Sequence, residues 1–344
     1  MSTIITRTDW GSTGNNESLY LFRLQNSSGA YVEVTNYGAT LVSAVVPDRA
    51  GKLGHAVTGF PSAQAYLGDT CYIGSTIGRY ANRISNASFT LNGETFHLEA
   101  NDGINSNHGA SSGYSYRVFG FEIIDDHIVF VLHSNDGDGG YPGNLALRVT
   151  YAWTDDNELQ ITYNAVSDKD TIANFTNHAY FNLSGSQSKI FNHKLTISAN
   201  TVVEADGNYI PTGKIISAGD IGFNGQQVKD VIGTPTEPGK GVNSFYITDD
   251  ELVAQNGFAA KLADEKSGRT LEVNTSYPGV FLYTGDYLTS THPTHIGQPC
   301  HYFEGLCLEC QHYPDSINRP EFPQAILPKH KTYKEYIHFK FGTE

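Results

Sequence analysis

Apolar and polar positions along the chain alternate mostly with a period of two, and helical periodicity is weak. Tyr31-Val-Glu-Val-Thr-Asn36, Ser88-Phe-Thr-Leu-Asn92 and Thr95-Phe-His-Leu-Glu99 all alternate. That is the spacing of a strand with one face on a core and the other toward water. Asn92-Gly93 predicts a hairpin between the last two, because both residues tolerate the positive φ that a two-residue turn demands. The same pattern predicts strands over 120–124, 127–133, 146–153, 158–165, 194–199, 279–285 and 336–341. Turn-forming stretches separate them, notably Asp136–Gly143, Asp155–Asn157 and Pro235–Gly241. One short helix is expected around Pro61–Tyr66. No fixed-period repeat or low-complexity linker divides the chain. Many short strands joined by Gly-rich turns predict an all-β fold, a large antiparallel β-sandwich, with residues 1–344 forming a single domain.

Composition changes this picture little. The 39% hydrophobic and 12% aromatic content fits a packed globular chain. The formal net charge is −14 and no dense Lys/Arg run exists. Nucleic acids and anionic membranes are therefore not expected partners, and phosphorylated ligands are disfavoured more weakly. The first ten residues have no apolar stretch of the signal-peptide kind, and no segment approaches the roughly 18 apolar residues of a membrane helix. A cytoplasmic location is the resulting expectation. Cys307 and Cys310 have the C-x-x-C spacing, yet no helix opening and no further ligand pair accompanies them, so both read as buried thiols.

Two stretches concentrate chemistry. Taken as one strand, Asn174–Leu183 puts Phe175, Ala179, Phe181 and Leu183 on a core face, spoiled only by Asn177. Thr176, His178, Tyr180 and Asn182 fall on the other face. A hydroxyl, an imidazole, a phenol and an amide in a row can grip a polyol, whereas an ordinary wet face carries more Lys, Glu and Thr. In Gly305–His312, Leu306, Leu308 and Cys310 point one way and Cys307, Glu309 and Gln311 the other. Glu309 is thus the one carboxylate in an otherwise apolar strand, and withdrawal from water would raise its proton affinity toward that of a general base at neutral pH. A surface Glu or half of an ion pair is the plain alternative. Gly78-Arg-Tyr-Ala-Asn-Arg-Ile84 adds two guanidinium forks, one of which can be structural. Asn101–Ala110 adds a polar loop with a histidine near its end.

In this order, these segments resemble the galactose mutarotase (aldose 1-epimerase) family. The resemblance runs from Gly38-Ala-Thr-Leu41 and Gly78–Ile84 through Tyr141-Pro-Gly143, Asn177–Gly185, Pro278-Gly-Val280 and Tyr283-Thr-Gly285 to Cys307–Gln311, Pro314-Asp315 and Pro320. It implies a galactose mutarotase-like supersandwich whose cleft takes one free monosaccharide, with no cofactor and no metal, in a monomer or homodimer. It further implies Glu309 as the base toward the anomeric hydroxyl and His178 as the acid toward the ring oxygen. Asn82, Arg83 and His108 resemble the family's hydroxyl-binding residues, with Tyr180 close enough to join them.

Three departures bear on which sugar is preferred. The family's Leu-His-Gly-Gly is Asn107-His-Gly-Ala110, followed by Ser115–Phe119 where a Trp is usual. Its Asp-His pair before a Phe is replaced by Val242-Asn-Ser-Phe245, so Asn243 stands for a sugar-binding carboxylate. A Gln after Pro-Gly-Val is Phe281. The pocket is therefore expected to favour a hydroxyl pattern other than galactose's, or a pentose. Three rival readings are a hexose-6-phosphate 1-epimerase, which would lean on Arg79 and Arg83, a glycoside hydrolase, which needs two opposed carboxylates, and a non-catalytic sugar-binding protein.

Overall fold

The computed structural model describes residues 3–344. Its regular structure is mostly strand, in antiparallel sheets, with a few short helices. The largest has nine strands, in the spatial order Gly120–Ile124, His127–Ser134, Leu145–Trp153, Glu158–Ser167, Thr332–Thr343, Arg269–Thr275, Ala260–Ala263, Lys194–Ile197 and Asn224–Gln227. A six-stranded sheet runs Tyr180–Phe181, Leu306–Gln311, Gly279–Tyr283, Asn243–Ile247, Thr201–Ala205 and Pro211–Ser217. A five-stranded meander covers Ile4–Ser12, Ser18–Gln25, Tyr31–Thr35, Thr40–Pro47 and Leu53–His55.

Strand alternation explains the layering. Leu147, Val149, Ile161, Leu271 and Phe339 of the nine-stranded sheet share one continuous core with Val280, Leu282 and Leu308 of the six-stranded sheet and Leu24 and Val32 of the meander. Each sheet thus buries an apolar face against another, as an antiparallel sandwich requires. Residues on the opposite face of the six-stranded sheet, among them Tyr180, Phe245, Phe281, Tyr283 and Cys307, form a second cluster. That second face carries the site. The strand Thr332–Thr343 lies in the middle of the nine-stranded sheet, between Glu158–Ser167 and Arg269–Thr275, and bonds along both edges.

The expected strands are present within a residue or two, except that the one expected over 336–341 begins four residues earlier, at Thr332. Asn92 (φ 52°) and Gly93 (φ 82°) make the two-residue turn between Ser88–Leu91 and Glu94–His97. The expected helix is Ala63–Leu67.

One reading needs correction. Asn174–Leu183 is not a single strand but two short ones, Thr176–Asn177 paired with Thr76–Ile77 and Tyr180–Phe181 paired with Leu306–Cys307. His178 sits in the break, its N–H donating to Ser75 O (2.9 Å) and its carbonyl accepting from Gly74 N–H (3.0 Å). Asn177 is only half satisfied in the core: its amide NH2 donates to Gly74 O (2.8 Å) and to the Tyr151 hydroxyl (3.2 Å), while its Oδ1 has no partner among the described residues. The alternation still separates the faces: Phe175, Ala179, Phe181 and Leu183 enter the main core, and Tyr180 enters the second cluster.

Candidate active site

A cavity of about 780 Å³ opens on the second face of the six-stranded sheet. The eight residues expected at the site all line it: Asn82, Arg83, His108, His178, Tyr180, Asn243, Phe281 and Glu309; Thr176 and Asn182, which alternation puts on the same face as His178, do not. Sheet register explains the convergence. Phe281 pairs with both Glu309 and Phe245, and Tyr283 pairs with both Cys307 and Asn243. Tyr180 pairs with Cys307 from the other side. Residues on one face of adjacent strands are neighbours, so four strands deliver a carboxylate, an amide and aromatic walls to one surface.

Glu309 is 2% exposed and His178 4%. His178 Nε2 lies 3.6 Å from Glu309 Oε1, and its Nδ1 lies 3.5 Å from the Cys307 thiol. Burial pushes the Glu309 carboxyl up to about 8, and the Arg83 guanidinium pulls more weakly the other way. Burial pulls the His178 imidazole down to about 4. Between those values the pair together holds a single proton. This is the proton count that one acid and one base require, however the proton is divided between them.

His108 and Asn82 form a unit. The backbone N–H of Asn82 donates to His108 Nδ1 (3.2 Å), so the neutral ring carries its proton on Nε2 as a donor. Burial holds this imidazole well below its usual range, and the nearby His178 and Arg83 add to the effect. Asn82 takes the left-handed conformation (φ 67°), which Asn tolerates, and its amide oxygen accepts from Arg83 N–H (2.7 Å). Gly109 beside His108 must be glycine, because a Cβ there would stand 2.6 Å from Gly78 O.

Donor atoms of His108, His178 and Glu309 all lie within 4.8 Å of one another, a spacing that a metal ion could bridge. The chemistry of the set does not fit one. The Nδ1 lone pair of His108 is taken by Asn82, and its Nε2 bears the proton, so this imidazole has no free lone pair to give.

Tyr180 meets the cavity differently from the sequence expectation, and Arg79 is the structural arginine that the expectation allowed for. The Tyr180 hydroxyl is committed to Cys71 O (3.0 Å), so what it offers the cavity is a ring 5.1 Å from that of His178. Arg79 is the structural member of its pair. It is fully buried, with its guanidinium donating to Pro142 O (2.8 Å), Gly143 O (3.1 Å), the Ser134 hydroxyl (2.7 Å) and the Tyr114 hydroxyl (3.2 Å). Arg83 is then the only Lys or Arg among the lining residues.

The structure also brings in residues that sequence reasoning did not single out as site residues. Tyr72, Asp102, Tyr209, Tyr283 and Tyr287 line the cavity, as does Asn107. In the sequence Asn107 stands out only as a departure from the family pattern, and the tyrosines have no spacing that separates them from core aromatics. Three buried acceptor atoms of lining residues have no hydrogen-bond partner: Glu309 Oε2, Asn107 Oδ1 and Asn243 Oδ1. Orphaned buried acceptors are costly. Gathered around one cavity, they match a ligand rich in hydroxyl donors.

Comparison with known proteins agrees with this chemistry. The sequence profile of the family described as Aldose 1-epimerase matches residues 20–340. A galactose mutarotase from Mus musculus is 35% identical over 98% of each chain. An aldose 1-epimerase from Escherichia coli (strain K12) is 36% identical over 94% of this chain and 95% of its own. Among solved structures, an aldose epimerase homologue from C. elegans superposes with a TM-score of 0.87 at 27% identity, and a galactose 1-epimerase from Lactobacillus acidophilus with 0.85 at 26%, each over 99% of both chains. With a family match spanning nearly its whole length, an antiparallel sandwich shared with solved epimerases and a buried carboxyl–imidazole pair in its cleft, this chain is an isomerase and belongs to the aldose 1-epimerase family.

Proposed function

We propose that this protein interconverts the α and β anomers of a free aldose, with Glu309 and His178 as the reacting pair. The observation that carries the reading is the pair itself: a carboxyl and an imidazole 3.6 Å apart, both buried, at a cavity whose unpartnered acceptors suit a polyol. Sugar hydroxyls donating to Glu309, with Arg83 nearby, favour its carboxylate and leave the shared proton on His178. Glu309 takes the proton of the anomeric hydroxyl, and the O–H electron pair becomes the second C1–O1 bond. The bond from C1 to the ring oxygen breaks, and the ring oxygen takes the proton from His178. Rotation about C1–C2 turns the aldehyde, and the same transfers in reverse close the other anomer. No electrons are gained or lost, and each proton returns to its source. General acid and base transfers of this kind contribute roughly 10²–10⁴-fold each.

His108 Nε2–H and the free edge of Arg83 are assigned to the sugar's remaining hydroxyls. Asn243 and Phe281 tune the choice of sugar, away from galactose. A sugar phosphate is the weaker reading, since Arg79 is spent in the interior and Arg83 alone faces the cavity. A non-catalytic binder would not need both members of the pair.

Polarimetry of freshly dissolved α-D-glucose and α-D-galactose tests the reading. The wild type should hasten relaxation to the same final rotation as buffer, and a Glu309→Gln variant should not. No acceleration of any free aldose by wild type would overturn it. Comparing glucose, galactose, xylose and arabinose rates settles the preference, and a wide margin for galactose would sink that part.

A further inference from the structure

Arg83 is held from one side by a carboxylate. Its Nε donates to Asp102 Oδ2 at 2.6 Å, and this is its only side-chain hydrogen bond among the described residues. The N–H groups of the two terminal nitrogens are uncommitted. A single bond through Nε leaves a long side chain free to swing, which costs affinity whenever the guanidinium must be ordered on binding.

The second restraint comes from a segment far away in sequence. The guanidinium carbon lies 5.0 Å from the centroid of the Tyr209 ring, a distance at which the ring face attracts a cation. Tyr209 sits in the tight turn Asp206–Ile210 that joins the strands Thr201–Ala205 and Pro211–Ser217. Asp206 Oδ1 accepts from Asn208 N–H (2.8 Å) and from Ile210 N–H (3.0 Å), which fixes the turn. Tyr209 itself is left-handed (φ 61°), an uncommon conformation for a bulky residue, held where Gly or Asn would be easier. Its hydroxyl lies 3.3 Å from that of Tyr287, another residue of the cavity wall. The turn therefore spends backbone strain to hold an aromatic ring against the one cation of the cleft.

We propose that Tyr209 is a positioning residue: its ring and the Asp102 carboxylate clamp the Arg83 guanidinium from two sides and present its free N–H groups to the substrate's hydroxyls. This rests on the proposed epimerase reaction for its kinetic consequence, but not for the clamp itself.

Tyr209→Leu, which removes the aromatic face, and Tyr209→Phe, which keeps it, are compared with wild type. The side-chain N–H resonances of Arg83, assigned through an Arg83→Lys variant, report the clamp directly, because a ring face shifts protons lying over it. In Tyr209→Leu the Arg83 resonances should lose that shift, KM for the sugar should rise roughly 2- to 5-fold, and kcat should hold. Tyr209→Phe should match wild type in all three. A Leu variant with unmoved Arg83 resonances overturns the proposal, even if KM rises, since Tyr209 would then touch the sugar itself. A Phe variant as impaired as Leu also overturns it, placing the effect in the Tyr287 contact. If wild type proves inactive on every aldose, the epimerase reading fails, while the resonances still decide the clamp.

Discussion

Replacing Glu309 by Gln keeps the shape of the side chain and removes its titration. Burial holds the native carboxyl at about 8 against an ordinary value of 4.5, so the folded chain binds this proton more tightly than the unfolded one. Stability from such a raised group is fully present below the unfolded value and is lost as pH climbs toward the folded one. Each pH unit between the two removes about 1.4 kcal/mol. Between pH 5 and 8 the wild type should therefore lose about 3 kcal/mol that the Gln variant keeps. The His178 titration runs the other way but is common to both proteins. Unfolding entropy scales with length, so for 344 residues this difference is roughly 4 °C in Tm. Thermal unfolding of both proteins, stepped from pH 5 to 9, makes the comparison. The variant's advantage should grow from small at pH 5 to about 4 °C by pH 8, while mutarotation falls roughly 10²–10⁴-fold. A Tm gap that stays flat across this range would refute the raised carboxyl and the argument built on it.

Other outcomes follow from the same geometry. kcat/KM should be level between about pH 4 and 8, falling below as the pair gains a second proton and above as it loses its only one; a sharp optimum near 6 would contradict this. His108→Gln should raise KM about 10-fold with a smaller effect on kcat, because one Nε2–H donor is lost while the reacting pair stays intact; steady-state kinetics reads the split. Arg79→Met should lower unfolding free energy in urea by at least about 3 kcal/mol, since the buried carbonyls of Pro142 and Gly143 lose their donor, with KM of the folded fraction unchanged. Asn243→Asp combined with Phe281→Gln should move the ratio of galactose to glucose kcat/KM several-fold toward galactose. An unchanged ratio would remove both residues from the account of specificity.

What the sequence disclosed, and what it hid, divides along physical lines. Alternation in 146–153 and 158–165 marks strands because each has one core face, and Leu145–Trp153 and Glu158–Ser167 bear that out. The strand Leu306–Gln311 was legible for a different reason: a lone Glu among apolar residues stands out at any register. Asn174–Leu183 misled because local pattern cannot show a chain leaving one sheet and entering another at His178. The backbone bonds that redirect it come from Gly74 and Ser75, a hundred residues earlier. Arg79 and Arg83 are four residues apart, and their types gave no means of telling which faces the cavity. Tyr209 was invisible for the same reason, its significance lying in a ring placed over Arg83 from 126 residues away.

The central place of Thr332–Thr343 also governs how this protein must be assembled. Its two neighbours, Glu158–Ser167 and Arg269–Thr275, are made long before it, and neither can pair with the other across the gap it fills. During synthesis each presents an unsatisfied edge to its surroundings, the situation in which strands recruit strangers. Joining Glu158 to Lys340 closes a loop of nearly the whole second half of the chain, a slow step for any β protein. Until that strand arrives the nine-stranded sheet exists only as two incomplete flanks. The yield of active enzyme in a cell should then depend on how well those edges are shielded in the interval.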